Sequence, residues 1–197
     1  MNPLTSIKGT IITGFILAGI LIFGAGMSGF NALNLEVWLH VLAGVIWIGL
    51  LYYFNFVQVP GVGAALADAN NGGPGPAAIN KYIAPKALLW FRMAAAVTWL
   101  TGVAALESHP STSAMAAFTL QAGSQVIGIG AWLGTIMLFN VWVLIWPNQQ
   151  KILGLKEATA DEIAKAKFVA LMASRTNTVL SIPMLLCMIG FGHGLVI

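Results

Sequence analysis

Charge is what this chain has least of: Asp, Glu, Lys and Arg together make up 8% of its 197 residues. A water-soluble domain of similar length clothes its surface with about a quarter charged residues. A soluble globular enzyme is thereby excluded, and a nucleic-acid-binding or disordered protein with it, despite the formal net charge of +3. Cysteine is almost absent as well. Cys187 stands alone, which removes an internal disulfide, a CxxC redox pair, a CxxCH attachment site for c-type haem and any multi-cysteine metal cluster. No internal repeat suggests a transporter assembled from inverted halves.

Apolar residues fill the space left by charge, at 58% of the chain and a mean hydropathy of +0.86. A spanning helix needs roughly 20 mostly apolar residues, so the uncharged intervals limit the count to five. The expected spans are about 11–27, 35–57, 87–106, 121–146 and 176–196, forming an all-α five-helix membrane bundle in a single domain. Arg92 is tolerated in the third because it lies near one end, where its side chain can snorkel. The first run follows Lys8 and ends in small residues, which also suits a signal peptide. An uncleaved span is the preferred reading.

The connections alternate in charge. Lys8, Lys81, Lys86, Lys151, Lys156, Lys165, Lys167 and Arg175 all fall on one side, whereas 28–34, 108–120 and the C-terminus carry no Lys or Arg. Basic residues accumulate in cytoplasmic loops, so the N-terminus is expected in the cytoplasm and the C-terminus in the periplasm of a bacterial inner membrane. Residues 70–76, NNGGPGP, read as a flexible break. Thr159 with Glu162 makes a capping box, Asp161 with Lys165 an i,i+4 pair, and a cytoplasmic helical segment over about 160–175 is expected to run into the fifth span, kinked at Pro183.

Ionisable groups inside a membrane are costly and therefore functional candidates. His40 and His193 fall at matched depth, roughly 6 to 8 Å below the outer surface, where two imidazoles could bind one haem b through both axial positions. Gly44 and Trp47 share the face of His40; the glycine would admit a flat macrocycle and the indole would pack on its edge. Alternatively, each histidine is an interfacial residue bonded to a neighbouring carbonyl. His109, beside Pro110, is expected to be solvated. A second group, Arg92, Asn140, Asn148, Arg175 and Asn177, gathers near the cytoplasmic ends. Two guanidinium groups with several amides suit an anionic or carbonyl-rich planar substrate such as a quinone headgroup or purine anion. The competing reading anchors the arginines to lipid phosphate and spends the amides on backbone. Trp38, Trp90, Trp99, Trp132, Trp142, Trp146 and the pair Tyr52–Tyr53 read mostly as an interfacial belt.

The segments WLHVLAGVIWIGLLYYFNFVQVP (38–60), ALLWFRMAAAVTWLTG (87–102), IGAWLGTIMLFNVWVLIWPNQQKILG (129–154) and SRTNTVLSIPMLLCMIGFGHG (174–194) resemble the membrane domain of bacterial cytochrome-c-linked urate hydroxylases, also described as the N-terminal domain of membrane urate oxidase. The resemblance implies an oxidoreductase whose electrons pass to a periplasmic cytochrome c domain, and it marks His40, Trp47, Asn55, Arg92, Asn140, Asn148, Arg175, Asn177 and His193. That cytochrome domain carries a CxxCH, which is missing here, so a separate electron acceptor would be required. The span from His40 through Trp47 also resembles haem-b-binding membrane protoporphyrinogen oxidases and copper-resistance membrane proteins.

Two expectations follow. The first is a redox protein embedded in lipid, binding haem b through His40 and His193 and passing electrons toward a periplasmic cytochrome. The second is a non-catalytic integral subunit of a larger respiratory or oxygenase complex, which keeps the fold without its chemistry. Copper held by His40, His193, Met184 and Cys187 is a third, weaker reading.

Overall fold

A computed structural model describes residues 2–24 and 26–197; Ala25, which falls inside the expected first span, lies outside the described residues, as does Met1. The described residues form helices and turns without a strand. Six α elements follow in order: α1 (Ile7–Gly24), α2 (Ala32–Ala69), α3 (Ile79–Glu107), the short α4 (Ala114–Phe118), α5 (Gln125–Ile152) and α6 (Ala160–Gly192). All except α4 are long and apolar enough to cross a membrane. The chain divides into two compact units, residues 1–35 and 36–197.

Helix starts follow local chemistry. Ser6 accepts from the Gly9 N–H at 3.0 Å ahead of α1, and Ser113 accepts from the Ala116 N–H at 3.1 Å ahead of α4. Asn31 and Asn34 exchange backbone-to-side-chain hydrogen bonds of 3.1 Å at the start of α2. The capping box read from Thr159 and Glu162 forms in both directions, satisfying N–H groups that a helix end leaves unpaired. The ion pair that forms here is Lys151 with Glu162, at 3.6 Å, rather than the expected Asp161–Lys165: the C-terminal end of α5 lies beside the first turn of α6. Left-handed glycines mark the breaks, with φ of +86° at Gly72 and +69° at Gly154.

Three of the departures from the expected helix boundaries share one physical reason. Besides the one that ends α1 at Ile20–Gly24, three helices contain a five- or six-residue widened turn, at Phe54–Gln58, Ile79–Ile83 and Asn140–Ile145. Each is followed, two residues past its last member, by a proline: Pro60, Pro85 and Pro147. A proline ring collides with the carbonyl four residues earlier in an ordinary α-turn and lacks an N–H to donate. In all three cases that carbonyl belongs to the widened turn, whose longer hydrogen-bond reach makes room for the ring. The helix therefore passes through the proline instead of stopping. Thus α2 runs on to Ala69 beyond the expected 57, α3 begins at Ile79 ahead of 87, and α5 reaches Ile152 beyond 146. At its other end α5 starts at Gln125 rather than 121, because Leu120 and Gly123 hold positive φ in a turn. Pro183 lies inside α6, which continues uninterrupted to Gly192. His193 is consequently the C-cap of α6 and not a residue of the span.

In the second unit, α2, α3, α5 and α6 share one core. It contains Trp47, Leu51 and Phe54 from α2, Leu88 and Phe91 from α3, Met137 and Val141 from α5, and Ala173 and Met184 from α6. Phe54 meets Phe91 edge to face, with ring centroids 5.4 Å apart, a favoured aromatic geometry. A smaller cluster of Leu106, Ala117, Ile127 and Ala131 joins α3, α4 and α5. Large apolar side chains also cover the outside: Val45 is 67% exposed, Phe56 65% and Ile182 65%. An apolar exterior of this kind is a liability in water and matches a lipid environment.

Glycine brings α4 and α5 together. A Cβ on Gly128 would collide with the carbonyl oxygen of Ala117 and stand 2.7 Å from Leu120 Cδ2, whereas a Cβ on Gly134 meets nothing within 4 Å. Gly128→Ala should therefore cost about 1–3 kcal/mol through overpacking, seen as a lowered unfolding midpoint in detergent. Gly134→Ala should leave that midpoint unchanged or raise it, since alanine is the better helix former.

Candidate functional site

The polar residues of the second unit collect at two levels of the bundle. At the first level, His40 projects from α2 onto α3. A carbonyl oxygen can only accept, so the 2.7 Å contact between His40 Nδ1 and the Thr98 carbonyl places the proton on Nδ1. Gly102 makes this contact sterically feasible, because a Cβ there would lie 2.8 Å from the imidazole ring. Thr98, itself buried, returns its hydroxyl to the Ala94 carbonyl at 2.7 Å. His193 repeats the arrangement on its own helix: its Nδ1 lies 2.8 Å from the Ile189 carbonyl, and the residue is exposed.

Both imidazoles thus carry the tautomer that presents Nε2 as a lone-pair donor, oriented by a backbone carbonyl at the other nitrogen, which is the common arrangement of metal-ligating histidine. His109 differs. Its Nδ1 accepts from the Ser111 N–H at 3.3 Å, and its ring rests on Phe191 with centroids 5.3 Å apart; the expected solvated residue is in part a packing residue.

Each imidazole therefore keeps one nitrogen, Nε2, as a possible ligand atom. The expected slot beside His40 is less open than the sequence suggests. Gly44 faces α3, where a Cβ would meet Thr98 Cγ2 at 3.7 Å. Trp47 is 2% exposed and sits within the shared core. Both residues hold α2 against its neighbours.

At the second level lie the amides. Asn140, the first residue of the widened turn in α5, donates from Nδ2 to Asn177 Oδ1 at 2.8 Å. Asn177 donates in turn to the Met137 carbonyl at 2.9 Å. Both asparagines are buried, Asn177 completely. Asn148 donates to the Leu144 carbonyl of its own helix at 2.7 Å. Arg92 places its guanidinium over the Trp146 indole, 3.7 Å from the ring centroid, a cation–π stack that ties α3 to α5. Arg175 is exposed. Of the five residues expected to bind substrate, the structure brings Asn140 and Asn177 into direct contact and engages Arg92 and Asn148 elsewhere.

A polar seam between α2 and α6 escaped the sequence reading apart from Asn55. Asn55 Nδ2 donates to Ser174 Oγ at 2.8 Å and to the Leu51 carbonyl at 2.9 Å. Tyr52 Oη lies 3.1 Å from Ser181 Oγ, and Ser181 donates to the Thr178 carbonyl at 2.7 Å. Ser174, Asn177 and Ser181 stand three and four residues apart, hence on one face of α6. That spacing was the available signal.

Asn177 is the most heavily engaged of these groups. Asn177→Leu should leave the Asn140 amide without its partner and cost about 0.6–2 kcal/mol, the range for interhelical hydrogen bonds in membranes. Joining it to Asn140→Leu should cost less than the sum of the two single changes, since the second removes a group already unpaired. Unfolding in detergent measures both.

Comparison with known proteins gives one match. The family described as Urate oxidase N-terminal matches residues 110–196, a stretch that includes Asn140, Asn148, Arg175, Asn177 and His193. Searches among curated proteins and among solved structures return no match.

Proposed function

We propose, with the match of residues 110–196 to the Urate oxidase N-terminal family as the premise, that this protein is a redox module of the bacterial inner membrane. In this reading its N-terminus lies in the cytoplasm and its C-terminus in the periplasm. It passes electrons from a substrate toward a periplasmic cytochrome c, with membrane lipid as its surroundings and other membrane subunits as further partners. The observation that carries the reading is the pair of histidines, each held by a carbonyl at Nδ1 and presenting Nε2.

His40 and His193 are the residues that would hold haem b, which supplies a one-electron carrier. The chain's own part is orientation. Thr98 and Gly102 fix the His40 ring, and Ile189 fixes that of His193. At the other level Arg92 and Arg175 are the groups suited to an anionic, urate-like substrate. The stack on Trp146 covers one face of the Arg92 guanidinium, and its edge N–H groups make no hydrogen bond among the described residues. Asn140 and Asn177 position α5 and α6 rather than touch the substrate, since each spends donors on the protein.

The same mutual satisfaction favours a second reading, a non-catalytic integral subunit of a larger respiratory or oxygenase complex. An absorption spectrum separates the two. Protein purified from haem-replete cells should show a Soret band and a b-type pyridine haemochrome, and His40→Ala or His193→Ala should abolish both. A folded but colourless preparation, copurifying in fixed stoichiometry with other membrane subunits, would overturn the redox reading in favour of the second.

A further inference from the structure

The two arginines that the sequence places together have different surroundings in the fold. Arg92 is stacked on Trp146. Arg175 is exposed and makes no hydrogen bond, ion pair or ring contact among the described residues. It belongs to an outward face of α6. Arg175, Val179, Ile182, Leu186 and Ile189 recur at intervals of four and three, which makes one stripe along a helix, and its four apolar members are 67%, 65%, 62% and 61% exposed. The opposite face, with Ala173, Asn177, Ser181 and Met184, is buried. Thr176, beside Arg175, is also exposed, and its hydroxyl has no partner among the described residues.

Depth follows from the length of the helix. Arg175 lies 17 residues before Gly192, where α6 ends, which is about 26 Å at 1.5 Å per residue. In a hydrocarbon layer roughly 30 Å thick that begins at Gly192, its backbone stops about 4 Å short of the far boundary. The long side chain covers that distance and brings the guanidinium to the level of the phosphates. One leaflet is half the layer, about 15 Å, or about ten residues of helix. An acyl chain that hangs from a phosphate at Arg175 therefore lies over Val179 and Ile182.

Charge decides what covers this face. The stripe carries a cation and no acid; the acids of α6, Asp161 and Glu162, lie in its first turn, and Glu162 pairs with Lys151. A second copy docked by the same face, about a two-fold axis along the membrane normal, would set Arg175 against its own counterpart at one depth, where like charges repel in a poorly screening layer. A zwitterionic lipid brings its own ammonium to its phosphate. An anionic phosphodiester brings an unmatched negative charge, two oxygens for the planar guanidinium and an acceptor for the Thr176 hydroxyl.

We propose that the outward face of α6 is a binding site for an anionic phospholipid of the cytoplasmic leaflet: Arg175 and Thr176 hold the phosphate, and Val179 and Ile182 receive an acyl chain. The site rests on the membrane insertion and orientation proposed above and is independent of haem. A lipid held there competes with substrate for Arg175, so Arg92 is the guanidinium left to a substrate.

The test places a photocrosslinking p-benzoylphenylalanine at Ile182 of the full chain, in vesicles made of equal parts phosphatidylglycerol and phosphatidylcholine at low salt. The mass of the intact chain after irradiation identifies the lipid that was attached. Flotation of the protein with the vesicles checks insertion separately, so failed insertion is distinguishable from failed lipid selection. Phosphatidylglycerol adducts are expected in about fivefold excess, the attraction of anionic lipid for one basic residue near a membrane surface. Arg175→Gln should bring the two lipids to equal amounts, and Arg175→Lys should keep part of the excess. Lys86→Gln, which removes the same charge from α3, should leave the excess unchanged, and the same reporter at Val45 on α2 should show none. Equal amounts of the two lipids in the inserted chain with Arg175 intact would overturn the proposal, as would a loss in Lys86→Gln as large as in Arg175→Gln. Crosslinking to a second copy in the vesicles, or to another protein in native membranes, in place of phospholipid would overturn it as well.

Discussion

The bundle of the second unit depends on one buried amide. Asn177 accepts from Asn140 and donates to the Met137 carbonyl, so a single side chain of α6 engages α5 on both sides of the place where its helical pattern widens. Between helices in lipid the hydrophobic effect gives little preference for contact, because the acyl chains are as apolar as leucine. Close packing and interhelical hydrogen bonds have to supply the specificity. The buried Asn140–Asn177 pair does so, and it sets the register from which Ser174 and Ser181 meet Asn55 and Tyr52 on α2.

Prolines shape the helices around that register. At Pro60, Pro85 and Pro147 a helix in water would often end. These helices are long and apolar enough to cross a membrane, and inside a bilayer an interrupted backbone would strand its N–H and C=O groups. The preceding turn widens instead, and hydrogen bonding continues. Each of these three widened turns begins at or one residue before an asparagine: Asn55, Asn80 and Asn140. Asn55 and Asn140 take part in the contacts between helices.

Much of the fold was legible in the sequence. The uncharged intervals located five long apolar helices, and Thr159 with Glu162 marked the start of α6. The helix ends were not legible, because the outcome at a proline depends on whether the turn before it can widen. The candidate site divides in the same way. Asn140 and Asn177 stood out as amides placed where polarity is expensive, but nothing in their separation of 37 positions announced that they bond to each other. Arg92 was identifiable as an unusual charge; its seat on Trp146 depends on how α3 lies against α5. Tyr52 reads from sequence as a belt aromatic, and Ser174 and Ser181 as ordinary hydroxyls of an apolar helix; their meaning lies in what stands opposite them, Ser181 for Tyr52 and Asn55 for Ser174.

By itself the sequence determined the class of the protein: an all-helical chain with too little charge for water and five segments long enough for lipid. It also determined which side chains are expensive to bury, since the cost of burying a polar group follows from its type and surroundings. Tertiary structure alone decided which of those costs are offset. Hydrogen bonds require about 3 Å and a defined direction, a condition met only once helices distant in sequence are side by side. That is why Asn177 is paired at both its oxygen and its nitrogen, His40 is paired at one nitrogen, and four buried atoms along α2, in Glu36, Trp47, Asn55 and Gln58, have no partner on the protein among the described residues.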